Sequence, residues 1–169
     1  MAPESLAHVR RIPWLSAWVA LAGCGDYRPP PPHIAFDRLP VSGSLADAHF
    51  AGFRRCIPDT TRMRCRRDGV TLLGRGPFNA AVDLAEGDGS GGFDELTLWH
   101  DRDQSALVAL GTALERGGWK ACFTGRGHYG DQAVYSRPGA PVRFSMDISY
   151  WGKRRFRIIP VWKRREGTC

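Results

Sequence analysis

Val142-Arg143-Phe144-Ser145-Met146-Asp147-Ile148-Ser149-Tyr150 alternates apolar and polar side chains without a break. Successive side chains of a strand point to opposite faces, so this stretch predicts a half-buried strand with one face on a core and one in water. Pro138-Gly139 turns the chain into it and Gly152-Lys153 turns it out. Phe156 and Ile158, alternating with Arg155 and Arg157, form the next strand. Gln132 to Tyr135 and Trp119 to Phe123 supply two strands before it. Short apolar runs separated by turns make an antiparallel meander.

Upstream, Leu107, Leu110 and Leu114 recur at spacings of three and four, the buried stripe of a helix. Asp101 or Asp103 can cap its start and Gly117-Gly118 ends it. Ser44 is an N-cap for a second, shorter helix in which Leu45, Ala48, Phe50 and Phe53 face inward, ending near Arg55. Between the helices, Met63 to Arg66 alternates, Asp68-Gly69 signals a hairpin turn, and Val70 to Leu73 is the returning arm. Asn79 to Leu84 and Phe93 to His100 read as further strands, joined by the glycine-rich loop Glu86 to Gly92. The expected class is α+β: a mainly antiparallel sheet, a meander at its C-terminus, one long helix packed on one face, and a short N-terminal helix.

The first residues follow different rules. Arg10 and Arg11 precede an apolar run from Ile12 to Ala22, far short of the roughly 20 residues a membrane span needs. The run closes on Leu21-Ala22-Gly23-Cys24, small residues followed by a thiol. In this the chain resembles the bacterial membrane lipoproteins, on residues 10 to 24 alone. The resemblance implies export, removal of residues 1–23 as a signal peptide, and a diacylglyceryl or palmitoyl-type lipid on Cys24. It implies a protein anchored in the bacterial cell envelope and facing the periplasm. Stable anchoring takes two or three acyl chains, because one holds only marginally. Gly25 stands where an aspartate would retain such a protein in the inner membrane, with Asp26 next, so both membranes stay open. Residues 24–43 read as a tether, stiffened by the run Pro29 to Pro32. Residues 44–163 form one domain and 164–169 a basic tail.

Hydrophobic content of 43% and aromatic content of 11% suffice for a core without help from metal or many crosslinks. The net charge of +7 is concentrated at one end. There Lys153, Arg154, Arg155, Arg157, Lys163, Arg164 and Arg165 face only Glu166. With Trp151 beside them, Lys153, Arg154, Arg155 and Arg157 are the candidate binding surface. Its partner would be an anionic envelope component or an acidic protein; nucleic acid would follow only if residues 10–24 were not an export signal. A row of cations that blocks strand-to-strand aggregation is the competing reading.

Apart from Cys24, four cysteines remain, enough for two disulfides in an oxidising compartment. Three pairings exist. Cys56 with Cys65 is favoured by their proximity around Pro58-Asp59, which leaves Cys122 with Cys169.

Catalytic motifs are absent from the sequence. His100 with Asp147, and Ser145 as nucleophile, would make an envelope hydrolase, but Ser145 lacks the Gly-x-Ser-x-Gly setting. No metal is expected: His49, His100 and His128 share no i, i+4 spacing, and no Cys/His spacing suits zinc. The segment Asp88 to Asp94 lacks the alternating ligands of a calcium loop, and Gly125 to Gly130 opens no helix that could cradle phosphate. No motif requires a cofactor. The function expected is a non-enzymatic binding or assembly module on a lipid anchor.

Overall fold

The computed structural model describes residues 29–125, 130–149 and 153–163. A hairpin of β1 (Ile34–Phe36) and β2 (Leu39–Ser42) leads into α1 (Leu45–Phe50). Four strands follow: β3 (Arg55–Pro58), β4 (Arg62–Leu72), β5 (Arg75–Ala85) and β6 (Leu96–Trp99). Next come α2 (Ser105–Arg116) and four more: β7 (Lys120–Thr124), β8 (Gln132–Ser136), β9 (Val142–Asp147) and β10 (Phe156–Pro160). The eight strands after α1 form one sheet in the order β3-β4-β5-β6-β10-β9-β8-β7, antiparallel at every step. A helix followed by a four-strand meander therefore occurs twice, and the last strands of the two meanders, β6 and β10, pair at the centre. This repetition is one of element order, and the sequence carries no trace of it.

The period-two pattern is kept across the whole sheet. One row of cross-strand partners runs Cys56, Cys65, Val82, Leu96, Ile158, Phe144, Tyr135, Ala121. All eight belong to the core or pack against it. The neighbouring row, Arg55, Arg66, Ala81, Thr97, Arg157, Ser145, Val134, Cys122, lies on the other face. Leu107, Leu110 and Leu114 of α2 are buried, as their spacing predicts, and the helix lies against β5 and β8. Phe36, Trp119, Phe144 and Phe156 make a chain of edge-to-face and tilted ring contacts beneath it.

The protein is thus mainly antiparallel sheet with some helix, and the C-terminal meander stands as expected. Several details differ. The helix expected to be long has 12 residues, about three turns. Residues 34–42, expected within the tether, form the β1–β2 hairpin, and Leu39 and Val41 are buried in the core. Pro40 disguised this strand, but it sits in a two-stranded ribbon where a lost donor is tolerated. The proline run itself is fastened to the domain, since the Ser42 hydroxyl donates to the Pro32 carbonyl at 2.6 Å.

Asp68-Gly69 is not a hairpin turn. β4 runs straight through it with a register shift between Arg67 and Val70, and Gly69 takes the left-handed φ of a bulge. The reversal comes at Leu73-Gly74, where both residues have positive φ, the twist a two-residue hairpin needs. Asp37 steadies it by accepting from the Leu73 N–H at 2.6 Å. α1 begins at Ser44 as predicted but stops at Phe50, which leaves Phe50 exposed rather than facing inward.

Cys56 and Cys65 are disulfide-bonded and face each other directly across β3 and β4. Cys122 is also disulfide-bonded. Its expected partner Cys169, like Cys24, lies outside the described residues. No helix among those residues is long and apolar enough to cross a membrane.

Candidate functional site

The C-terminal cations do not form one uniform patch. Arg157, in mid-strand, points to the face away from the helix and is only 15% exposed. Its guanidinium donates to both carboxylate oxygens of Asp147, at 2.7 and 3.2 Å, and its Nε lies 3.4 Å from Glu95. Lys163 pairs with Asp94 and lies 3.9 Å from Glu95, while its carbonyl accepts from Arg143 at 2.6 Å. These two cations therefore bind β10 and the segment after it to the residues ahead of β6. They are internal ties rather than a docking surface. Arg154 is half-buried: its backbone N–H donates to the Gln104 side chain at 2.6 Å and its guanidinium to the Asp147 carbonyl at 3.4 Å. Lys153 and Arg155 are exposed and remain available. Trp151 lies outside the described residues.

At the opposite end of β10 lies a cleft of about 740 Å³. Pro29 to Pro32 form one wall; Trp162, Lys163, Asp94 and Glu95 form another; Arg62 and Asp83 close it. Its acids are already neutralised. Asp83 accepts from Arg64 at 2.6 Å through both oxygens, and Asp94 and Glu95 take Lys163 and Arg157. The indole of Trp162 and the side chain of Arg62 are exposed. The cleft thus offers stacking surface and acceptors to a ligand.

His100, Ser145 and Asp147 are each engaged elsewhere. His100 Nδ1 accepts from the backbone N–H groups of Arg102 and Asp103, at 3.3 and 2.8 Å, and so folds the turn into α2. Ser145 donates to the Gln132 side chain. Asp147 holds Arg157. Asp103 serves the helix entry by accepting from the Ser105 N–H at 2.8 Å; bonds from the Ser105 hydroxyl and backbone keep its carboxyl below the ordinary range.

One constellation was not expected from the sequence. His49 at the end of α1, Cys56 on β3 and Cys65 on β4 bring their ligand atoms within 4.8 Å of one another. His49 Nε2 lies 3.5 Å from Cys56 Sγ. Two of these three atoms are the sulfurs of the Cys56–Cys65 disulfide. The sequence offsets match no metal motif, because the grouping is made by the turn after α1 and by the pairing of β3 with β4. The only legible signal was the Cys56–Cys65 pairing itself, which fixed two of the three positions.

The chain matches no protein-family model, no curated protein and no solved structure.

Proposed function

We propose that this chain is a lipid-anchored protein of the bacterial cell envelope whose domain is a non-enzymatic binding module facing the periplasm. The observation that carries the reading is the sequence Leu21-Ala22-Gly23-Cys24 placed a few residues ahead of Pro29, the first of the prolines that line the cleft. Five residues span at most about 17 Å when extended. The acyl chains on Cys24 would therefore hold the cleft end of the domain close to the bilayer, with Trp162 and Val161 exposed there. Lys153 and Arg155 lie at the other end of β10, about 17 Å further along a five-residue strand. They would meet a partner approaching from the periplasm, an anionic glycolipid phosphate or an acidic protein surface. Support for a binding role over hydrolysis comes from the engagement of His100, Ser145 and Asp147 in separate local bonds.

The test is membrane fractionation with mass spectrometry of the N-terminal peptide, in cells with and without a lipoprotein signal-peptidase inhibitor, and with Cys24→Ala. The expected native species starts at an acylated Cys24 and sediments with membranes; Cys24→Ala does not. A native chain that begins at Met1 and carries no fatty acid overturns the reading, and then steeply salt-dependent nucleic-acid binding becomes the one to measure.

A further inference from the structure

We propose that His49, Cys56 and Cys65 form a redox-gated site for a thiol-binding transition-metal ion such as Zn²⁺. As the disulfide, the two sulfurs cannot ligate as thiolates. As dithiol, they offer two, and His49 Nε2 is the third ligand. The 3.5 Å between His49 Nε2 and Cys56 Sγ fits the ligand-to-ligand edge of a tetrahedral zinc centre, about 3.5 Å for metal bonds of about 2.3 Å to sulfur and 2.0 Å to nitrogen. All three atoms fall within 4.8 Å of one another, and once the S–S bond opens the two sulfurs separate from bonding distance to the sulfur–sulfur edge of a tetrahedral site, about 3.8 Å for metal bonds of about 2.3 Å. Three protein ligands leave the fourth position to water or to a partner's side chain.

The backbone favours this use. β3 is the edge of the sheet, His49 is exposed, and Cys56 is half-buried, so a reductant and an ion reach the site from solvent. Cys65 is fully buried and fixed in register opposite Cys56, which keeps the ligands together after the S–S bond breaks. A dithiol reductant supplies two electrons and two protons and closes to its cyclic disulfide, while the Cys56–Cys65 bond opens to two thiols. Metal binding then breaks both S–H bonds, sends the protons to solvent, and forms two metal–sulfur bonds and one metal–nitrogen bond.

The experiment uses the full chain, reduced with a dithiol, freed of it by anaerobic gel filtration, and titrated with Co²⁺ as a coloured stand-in for Zn²⁺. The expected result is a thiolate-to-cobalt charge-transfer band with tetrahedral visible bands in the reduced chain, lost on adding Zn²⁺ and absent from the oxidised chain. Cys56→Ser abolishes it. His49→Ala, which keeps both cysteines and the disulfide, weakens Co²⁺ binding at least about tenfold, since even an outer partner of a ligand is worth about 10–100-fold. The proposal is overturned if the reduced chain gives no such band or loses its near-ultraviolet tertiary signal. A band that persists in Cys56→Ser, which would come from the thiols of Cys122 and its partner, also overturns it, as does unchanged affinity in His49→Ala.

Discussion

Arg157 on β10 grips Asp147 on β9 with two parallel hydrogen bonds, at 2.7 and 3.2 Å, although its direct register partner is Ser145 and Asp147 lies diagonally across, next along the same face of β9. The pair is mostly shielded from water, with side chains 15% and 22% exposed, and Glu95 makes it a triad. Removing either partner is therefore not symmetrical. Asp147→Ala leaves Arg157 with Glu95; Arg157→Ala strips the mostly shielded Asp147 of its cation and leaves Glu95 with Lys163 at 3.9 Å. Arg157→Ala is expected to cost about 3 kcal/mol and Asp147→Ala about 1–2 kcal/mol. Urea denaturation of both variants checks the order, and equal, negligible losses would remove Arg157 from the structural ties.

α1 is a short helix held by its first turn. The Ser44 backbone N–H and hydroxyl both donate to Asp47 Oδ2 at 2.7 Å, and the Asp47 N–H returns to the Ser44 hydroxyl at 3.3 Å. The Ser44 hydroxyl first, then its backbone N–H, hold the Asp47 carboxyl below its ordinary value of 3.8. A depressed folded-state pKa gives a contribution present above the ordinary carboxylate value and lost as pH falls through the lowered one. Ser44→Ala should cost about 1 kcal/mol near neutrality and less in acid. Asp47→Asn should flatten part of the acid limb of stability measured against pH. A Ser44→Ala loss as large in strong acid as at neutrality would contradict the account.

The sheet was legible where the local period was undisturbed. Phe144, Met146, Phe156 and Ile158 sit where alternation puts them, and Leu107, Leu110 and Leu114 bury the predicted stripe. Reading failed where a backbone irregularity mimicked a different signal. Gly69 marks a bulge rather than a reversal, and the actual turn uses Leu73 at positive φ, a residue no turn rule favours. The joining of β6 to β10 is a long-range choice that short-range patterns do not encode. At the site, the cation row was visible in the sequence, whereas its division into ties (Arg157, Lys163) and exposed charges (Lys153, Arg155) depends on acids far away in the chain.

Gly111 lies in the middle of α2, where alanine would ordinarily raise helix stability by about 1 kcal/mol. Here a Cβ would overlap the hydroxyl of buried Tyr135 on β8. Burial, and then the charge of Glu115, push that phenol above its usual value. Gly111→Ala is expected to destabilise by about 1–3 kcal/mol through overpacking. Tyr135→Phe in the same chain removes the worst overlap and should recover part of the loss, a coupling that a double-mutant cycle reads directly. Strict additivity would show that the two elements do not meet at this point.

The domain starts before Ser44 if the hairpin matters energetically. Phe36 packs edge-on against Trp119 and Phe144, at centroid distances of 5.9 and 5.0 Å. It is only partly buried, so Phe36→Ala should cost about 2 kcal/mol, below the 3–5 kcal/mol of a fully enclosed phenylalanine. Denaturant midpoints at constant m-value test this. A neutral substitution would return residues 34–42 to the tether.

The division of the cations makes a prediction about binding that stability measurements cannot mimic. Lys153 and Arg155 are solvent-exposed, so reversing them removes attraction without opening the core. A basic side chain near a strongly anionic surface is worth about 1 kcal/mol at physiological salt. Lys153→Glu with Arg155→Glu should therefore weaken binding to a phosphorylated glycolipid by about thirtyfold or more. The unfolding midpoint should stay unchanged, and the salt dependence of binding should become shallower. Arg157→Ala should do the converse, lowering stability while leaving the affinity of the folded protein nearly intact, because its charge is already spent on Asp147 and Glu95. Equal affinities for wild type and the double reversal, measured on folded protein at two salt concentrations, would take the partner away from this end of β10.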